Sequence, residues 1–331
     1  MDNPNFYQTA WYLLIGVLLA GYSILDGFDL GIGALFPFLA KSDADRSSLI
    51  GSIGPVWDGN EVWLLTGGGA LFAAFPLAYA TVFSGFYLAL MLVLFALIFR
   101  AVSLEFWTYD EPRRKIWGWA FTIGSLLPAL LYGVALGNVV YGVPVSADHE
   151  YAGGFFTLLR PYPLLIGLLG LTAILLQGST WAALKTGGPL RDSARRASSL
   201  LLYAIAALFI AAVAAHVAFA PAVSSAALFW VFTALFAAVW AANRWALAKG
   251  KDALSFAMSS AGLASMWGIA GAAHFPRLVT ALDPANSITA VNAASGPVTL
   301  GTMLVIAGLG MPVVILYTIF VYRVFKGRVN A

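Results

Sequence analysis

The sequence predicts an all-α polytopic membrane protein with nine transmembrane helices. Three observations predict it. Apolar residues make up 61% of the 331 residues and charged residues only 10%, where a soluble globular domain carries about 25% charge. Apolar runs of roughly 20 residues, the length that crosses a bilayer as a helix, recur along the chain. The links between runs alternate between rich in Lys and Arg and almost empty of them. So few charges cannot cover a soluble surface, which excludes a soluble enzyme, a disordered chain and a disulfide-stapled secreted domain. Cysteine is absent, so the chain holds no disulfide, thiolate metal site or Cys-ligated iron–sulfur cluster.

The nine runs lie at about 8–38, 50–74, 77–107, 115–141, 161–186, 196–218, 224–247, 253–274 and 298–324. The first opens behind MDNPNFYQTA, which has no basic segment, and the run is long and carries acids; a cleaved signal peptide is not expected. Pro37 and KSDADRSS end it. Pro76 marks a tight link between the second and third runs. DEPRRK separates the third from the fourth, TGGPLRDS follows the fifth, and Pro221 sits between the sixth and seventh. The two long links, 142–160 and 275–297, are polar and Pro/Gly-punctuated and read as partly ordered caps. The whole chain, 1–331, forms one integral membrane domain. Within it, 1–141 and 161–274 are two four-helix units, and 298–324 is a peripheral ninth helix.

The basic residues orient this pattern. Fifteen of the eighteen fall on one side of the nine runs, including Lys41, Arg113, Arg191, Lys249 and Lys326. Arg160 and Arg277 fall on the other, and Arg100 lies inside the third run. The positive-inside rule places the N-terminus outside and the C-terminus in the cytoplasm. The basic pI of about 9.1 is a topology signal. The basic clusters are helix ends beside lipid headgroups, with no nucleic-acid partner.

An ionisable side chain inside a span is a functional candidate by default, because inserting it costs at least ~2.5 kcal/mol. Here such residues concentrate in the first three runs. Asp26 and Asp29 lie in LDGFDLGIG, Asp58 and Glu61 in GPVWDGNEVW, and Arg100 in LIFRAVSLEFW. Each acidic pair is spaced i,i+3 and shares a helix face. Four acids and one Arg in low dielectric cannot all be ionised, which is the physics of a proton relay. Asp58, Glu61 and Asp26 are the proton-path candidates. Asp29 and Arg100 are candidates for an ion pair. The bland alternative makes the cluster helix-packing glue, with Arg100 paired to Asp29 or Asp58 and Glu105 a solvated helix-end acid. Gly27 and Gly31, four apart, favour close helix approach.

Redox-metal ligands are scarce. Of the three histidines, His149 lies in a link, and His216 and His274 at the outer ends of runs six and eight. Met91, Met258, Met266, Met303 and Met311 read as core filler. No metal site is expected in this chain, and no nucleotide-binding motif occurs.

LDGFDLGIGALFPF, GPVWDGNEVWLLTGGGALFAAFP and the run to LIFRAVSLEFW resemble subunit II of the cytochrome bd-type quinol oxidases, including the cyanide-insensitive variants. The likeness covers the whole chain in length, span count and orientation, and is most specific over residues 1–107. It implies a terminal oxidase of the bacterial or archaeal cytoplasmic (inner) membrane. That oxidase takes electrons from ubiquinol or menaquinol, reduces O2 to water and does not pump protons. It implies haem b and haem d held by a partner, subunit I, with which this chain forms a heterodimer, and room for a small accessory subunit. It implies a proton path for Asp58, and integrity of the haem region for Asp29 and Arg100. The second half of the chain is where a structural quinone or lipid is expected. Two other readings compete: a stand-alone proton- or cation-coupled transporter, and a purely structural scaffold.

Overall fold

The computed structural model describes residues 3–219 and 227–329; Pro221 lies outside the described residues. The described residues hold eleven α-helices: α1 (Phe6–Leu39), α2 (Asp43–Ile53), α3 (Trp57–Ala74), α4 (Pro76–Gly85), α5 (Tyr87–Tyr109), α6 (Arg114–Tyr141), α7 (Pro161–Lys185), α8 (Gly188–Phe219), α9 (Ala227–Ala248), α10 (Asp252–His274) and α11 (Pro297–Val324). Eight of them, all but α2, α3 and α4, are long and apolar enough to cross a membrane. The chain is an integral membrane protein.

Local chemistry explains where the structure departs from the predicted runs. The second run is split at residues 54–56, and its first residues close α2. The link KSDADRSS, expected as a loop, is mostly helical because Ser42 caps it. Asp45 N–H donates to Ser42 Oγ at 3.1 Å, and Asp45 Oδ2 accepts from Ser42 N–H at 3.1 Å. The remaining helix, α3, has 18 residues and spans about 27 Å at 1.5 Å per residue. Its Asp58, Asn60, Glu61 and Gly67–Gly69 dilute its apolar character. The third run breaks at Phe86 into α4 and α5. Pro37 does not end α1, which continues to Leu39. The loop predicted over TGGPLRDS is almost entirely the start of α8. Gly188, at φ +56°, turns the chain after a link of two residues from α7.

Helix α1 is the centre of the bundle. It packs against α3, α6, α7 and α10, and Asp26 to Phe36 form an unbroken buried stretch. Its approach to α7 is set by two glycines. A methyl on Gly31 would sit 2.3 Å from Ile174 O and 2.7 Å from Gly178 Cα. Only hydrogen on both sides lets the backbones meet. Beside this contact Phe28 stacks on Trp181, ring centroids 4.1 Å apart. Helices α6 and α7 also pack closely, across the joint between the two predicted four-helix units. Helix α11 touches α1 and α3 at the periphery, and Leu300 is its one buried residue.

The two long links form one cap. Val143 N–H donates to Thr280 O at 2.9 Å and Leu282 N–H to Val143 O at 3.0 Å. Strands β1 (Arg277–Val279) and β2 (Ile288–Thr289) pair antiparallel within the second link. Arg160 Nη2 ties the first link to α6 through Gly142 O and Asn138 Oδ1. The cap is anchored to α3, where Ser295 Oγ donates to Ala73 O at 2.6 Å.

The glycine contact generates a prediction. Gly31→Ala should destabilise the protein by about 1–3 kcal/mol, because neither neighbouring atom is a movable side-chain end. Gly16→Ala, with nothing within 4 Å, should not. Thermal unfolding in detergent compares them, and equal midpoints would remove this account of the α1–α7 contact.

Candidate functional site

The site is built from helix faces. On α1, the i,i+3 spacing places Asp26 and Asp29 on the buried side, each 0% exposed. Arg100 enters from α5 and is 1% exposed. Its guanidinium meets Asp26 as a fork, Nη2 to Oδ1 at 2.5 Å and Nη1 to Oδ2 at 3.2 Å. Its charge also lies 6.0 Å from the centre of the Trp57 ring. The planar guanidinium matches both carboxylate oxygens at once, which a lysine could not do.

The partner of Arg100 is therefore Asp26, and not Asp29 or Asp58 as the sequence suggested. Asp29 faces α3 instead. Its Oδ2 accepts from Asn60 Nδ2 at 2.7 Å, and its Oδ1 has no hydrogen-bond partner among the described residues. Asn60 Nδ2 also reaches Leu25 O at 3.2 Å, while Asn60 Oδ1 accepts from Tyr322 Oη at 2.9 Å. Asn60 and Tyr322 thus belong to the site although sequence reasoning passed over them. Asn60 could have been found: it stands between Asp58 and Glu61, and a polar side chain inside an apolar helix needs a partner. Tyr322 could not, because α11 is far away in sequence.

Asp58 and Glu61 are placed differently from each other. Asp58 is exposed, on an outward stripe of α3 with Val62, Leu65, Gly69 and Phe72. Glu61 is half-buried, within the electrostatic reach of Arg100, Asp26 and Asp58. The acids form a graded series, from an outward Asp58, through Glu61, to the enclosed Asp26–Arg100 pair. Glu105 is exposed.

Behind Asp26, Tyr22 Oη donates to Tyr132 Oη at 3.3 Å. Both tyrosines line an apolar cavity of about 150 Å³ among α1 and α6 to α10, with Tyr162, His216 and Trp267 also in its wall. Helix α7 adds a polar seam: Gln177 Nε2 donates to Ile24 O at 3.1 Å and to Ser260 Oγ at 2.8 Å.

The three histidines lie in the cap and in the last turns of α8 and α10. His216 Nδ1 lies 3.3 Å from Tyr162 Oη and its ring stacks on Phe229. His274 Nε2 lies 3.4 Å from Thr280 Oγ1, and His149 sits in the cap at φ +61°. The described residues contain no group of three potential metal-binding His, Asp or Glu side chains.

These features define a helical membrane protein with a buried carboxylate–guanidinium cluster and an exposed acid beside it. The model of the family "cytochrome bd terminal oxidase subunit II" matches residues 7–325, and the chain belongs to this family. It is 36% identical to a probable cytochrome oxidase subunit 2 of Haemophilus influenzae, over 100% of this chain and 97% of that one. It is 35% identical to cytochrome bd-I ubiquinol oxidase subunit 2 of Escherichia coli, over 97% and 94%. It is also 35% identical to cytochrome bd ubiquinol oxidase subunit 2 of Bacillus subtilis, over 97% and 96%. The structure of bd oxidase from Geobacillus thermodenitrificans shares the fold, with a TM-score of 0.82 over 97% of this chain and 99% of that one at 16% identity. The chain is thus a subunit of a terminal oxidase, an oxidoreductase complex.

The buried pair generates a second prediction. Asp26→Asn and Arg100→Met should each cost about 3–5 kcal/mol, because each leaves an unpaired buried charge. The double variant should lose less than the sum of the two. Thermal unfolding of the three solubilised proteins checks this; additive losses would mean the pair is not coupled.

Proposed function

We propose that this chain is the proton-conducting and stabilising partner of a haem-bearing subunit I in a quinol oxidase of the bacterial or archaeal inner membrane. Asp58 carries the proposal. An acid on the outward stripe of an apolar helix bundle is unstable against lipid, so a partner subunit is needed to cover it. The named relatives in Escherichia coli and Bacillus subtilis are subunits 2 of ubiquinol oxidases, which supports a quinol as electron donor here. Haems b and d, which supply the O2 chemistry, are assigned to the partner, because His216 Nδ1 and His274 Nε2 meet Tyr162 and Thr280 and His149 lies in the cap. The apolar cavity behind Tyr22 and Tyr132 is assigned to a structural quinone or lipid.

In this reading α3 is the second of nine crossings, and the basic links face the cytoplasm. Protons reach the subunit interface through Glu61 and Asp58. Asp26 has a different part from the relay role suggested by its sequence position. Both its oxygens are held by Arg100, so it serves as a fixed anion beside the path. Asp29, held by Asn60 on one oxygen only, positions α3 against α1 and so sets where Asp58 stands.

Asp58→Asn keeps the size of the side chain and removes its proton. Turnover of O2 by the purified complex should fall by roughly a hundredfold, with haem absorbance and subunit content unchanged. Full turnover in that variant would remove the proton-path role. Loss of haem together with turnover would favour the scaffold reading.

A further inference from the structure

A second cavity, of about 400 Å³, opens at the basic end of the bundle where α2, α7 and α11 meet. Three cations line it, Lys185, Lys326 and Arg328, and its lining holds no acid. Lys185 is the last residue of α7 and is only 6% exposed. Its ammonium donates to Phe325 O and Gly327 O and lies 5.2 Å from the centre of the Trp181 ring. Carbonyls and a ring face offer partial charge only. Neither Lys185 nor Lys326 forms an ion pair among the described residues. Arg328 reaches Asp252 at 3.9 Å, but that carboxylate is already held by Arg191 at 2.6 Å.

Positive charge therefore converges on the cavity with little counter-charge: Arg328 shares Asp252 with Arg191, and Lys185 and Lys326 have none among the described residues. A buried cation left in that state is unfavourable, and an ammonium with two of its three donors used has one left to give. The arrangement is also held in place. Val329 N–H donates to Lys185 O at 2.9 Å, fixing the segment that carries Lys326 and Arg328 against α7.

The walls say which anion fits. Trp181, Leu184, Tyr322 and Phe325 make one side apolar. Beyond Arg323 the outward flank of α11 is largely apolar, with Leu316 67% and Phe320 64% exposed. A small hydrated anion would meet the charges and leave the aromatic wall and this flank unused. We propose that the cavity binds the phosphate group of an anionic phospholipid, with the acyl chains running along the outward flank of α11. Basic pockets between helix ends on the cytoplasmic side are suited to such headgroups.

The test uses the oxidase complex purified from its native membrane. Native mass spectrometry reads the phospholipid retained after detergent exchange and after return of phosphatidylglycerol in phosphatidylcholine vesicles. Wild type should retain anionic phospholipid in preference to phosphatidylcholine. The double variant Lys326→Gln/Arg328→Gln should retain it about 30-fold more weakly, since each surface cation contributes about fivefold. The double variant Lys41→Gln/Lys249→Gln removes the same charge elsewhere and should behave as wild type. Lys185→Met should lose the lipid too; the Lys326/Arg328 pair decides the matter if that variant fails to assemble. Equal retention by the two double variants would overturn the site. Displacement of the lipid by millimolar inorganic phosphate, with equal protection against thermal unfolding, would assign the site to a free anion and overturn the lipid.

Discussion

The fork between Arg100 and Asp26 is the constraint on which the rest depends. A guanidinium and a carboxylate enclosed at 1% and 0% exposure are tolerable only when each satisfies the other. That requirement fixes the distance and rotation of α5 relative to α1. Helix α1 is in turn the element on which α3, α6, α7 and α10 pack. Through it, a single ion pair sets the frame that holds Asp29 and the helix bearing Glu61 and Asp58. Buried pairs of this kind contribute little net stability over an apolar substitute. Their value here is geometric, since the pair admits one arrangement of the helices.

Asp29 shows a complementary device. One oxygen is held by Asn60, which is itself held by Tyr322 from α11. Three helices are thus linked by two hydrogen bonds through a side chain that carries no charge. This matters for α3, which is short, glycine-rich and poorly apolar, and would otherwise be the least secure helix of the bundle. In the proposed proton path the acids on it need both a fixed position and contact with a partner, which a helix half-open to its surroundings suits. The cap at the other end secures α3 by its last turn, through Ser295 and the backbone of Ala73 and Ala74.

Much of the fold was legible in the sequence because its signals are local. Runs of apolar residues marked the eight long apolar helices to within a few residues at most of their ends. Where the reading failed, a local rule had been outweighed or overlooked. Pro37 sits near the end of α1 yet the helix runs past it. The capping box at Ser42 turned an expected loop into α2. Gly188 allowed a turn so short that α8 absorbed the predicted link. The site was legible as a set of residues: Asp26, Asp29, Asp58, Glu61 and Arg100 stood out because charge in an apolar run demands a reason. Helical spacing alone could not separate Asp26 from Asp29 as the partner of Arg100.

By itself, then, the sequence determined the class of the protein, the approximate helices, the residues of the cluster and the family. Composition, apolar run length and motif identity are one-dimensional properties and survive without coordinates. Tertiary structure decided who meets whom. It gave Arg100 to Asp26, Asn60 to Asp29 and Tyr322 to Asn60. It turned Asp58 outward and enclosed Asp26, Asp29 and Arg100, and it gathered Lys185, Lys326 and Arg328 around one cavity. The physical reason is that these contacts join helices separated by tens to hundreds of residues. Their rotation about their own axes is set by packing against all neighbours at once.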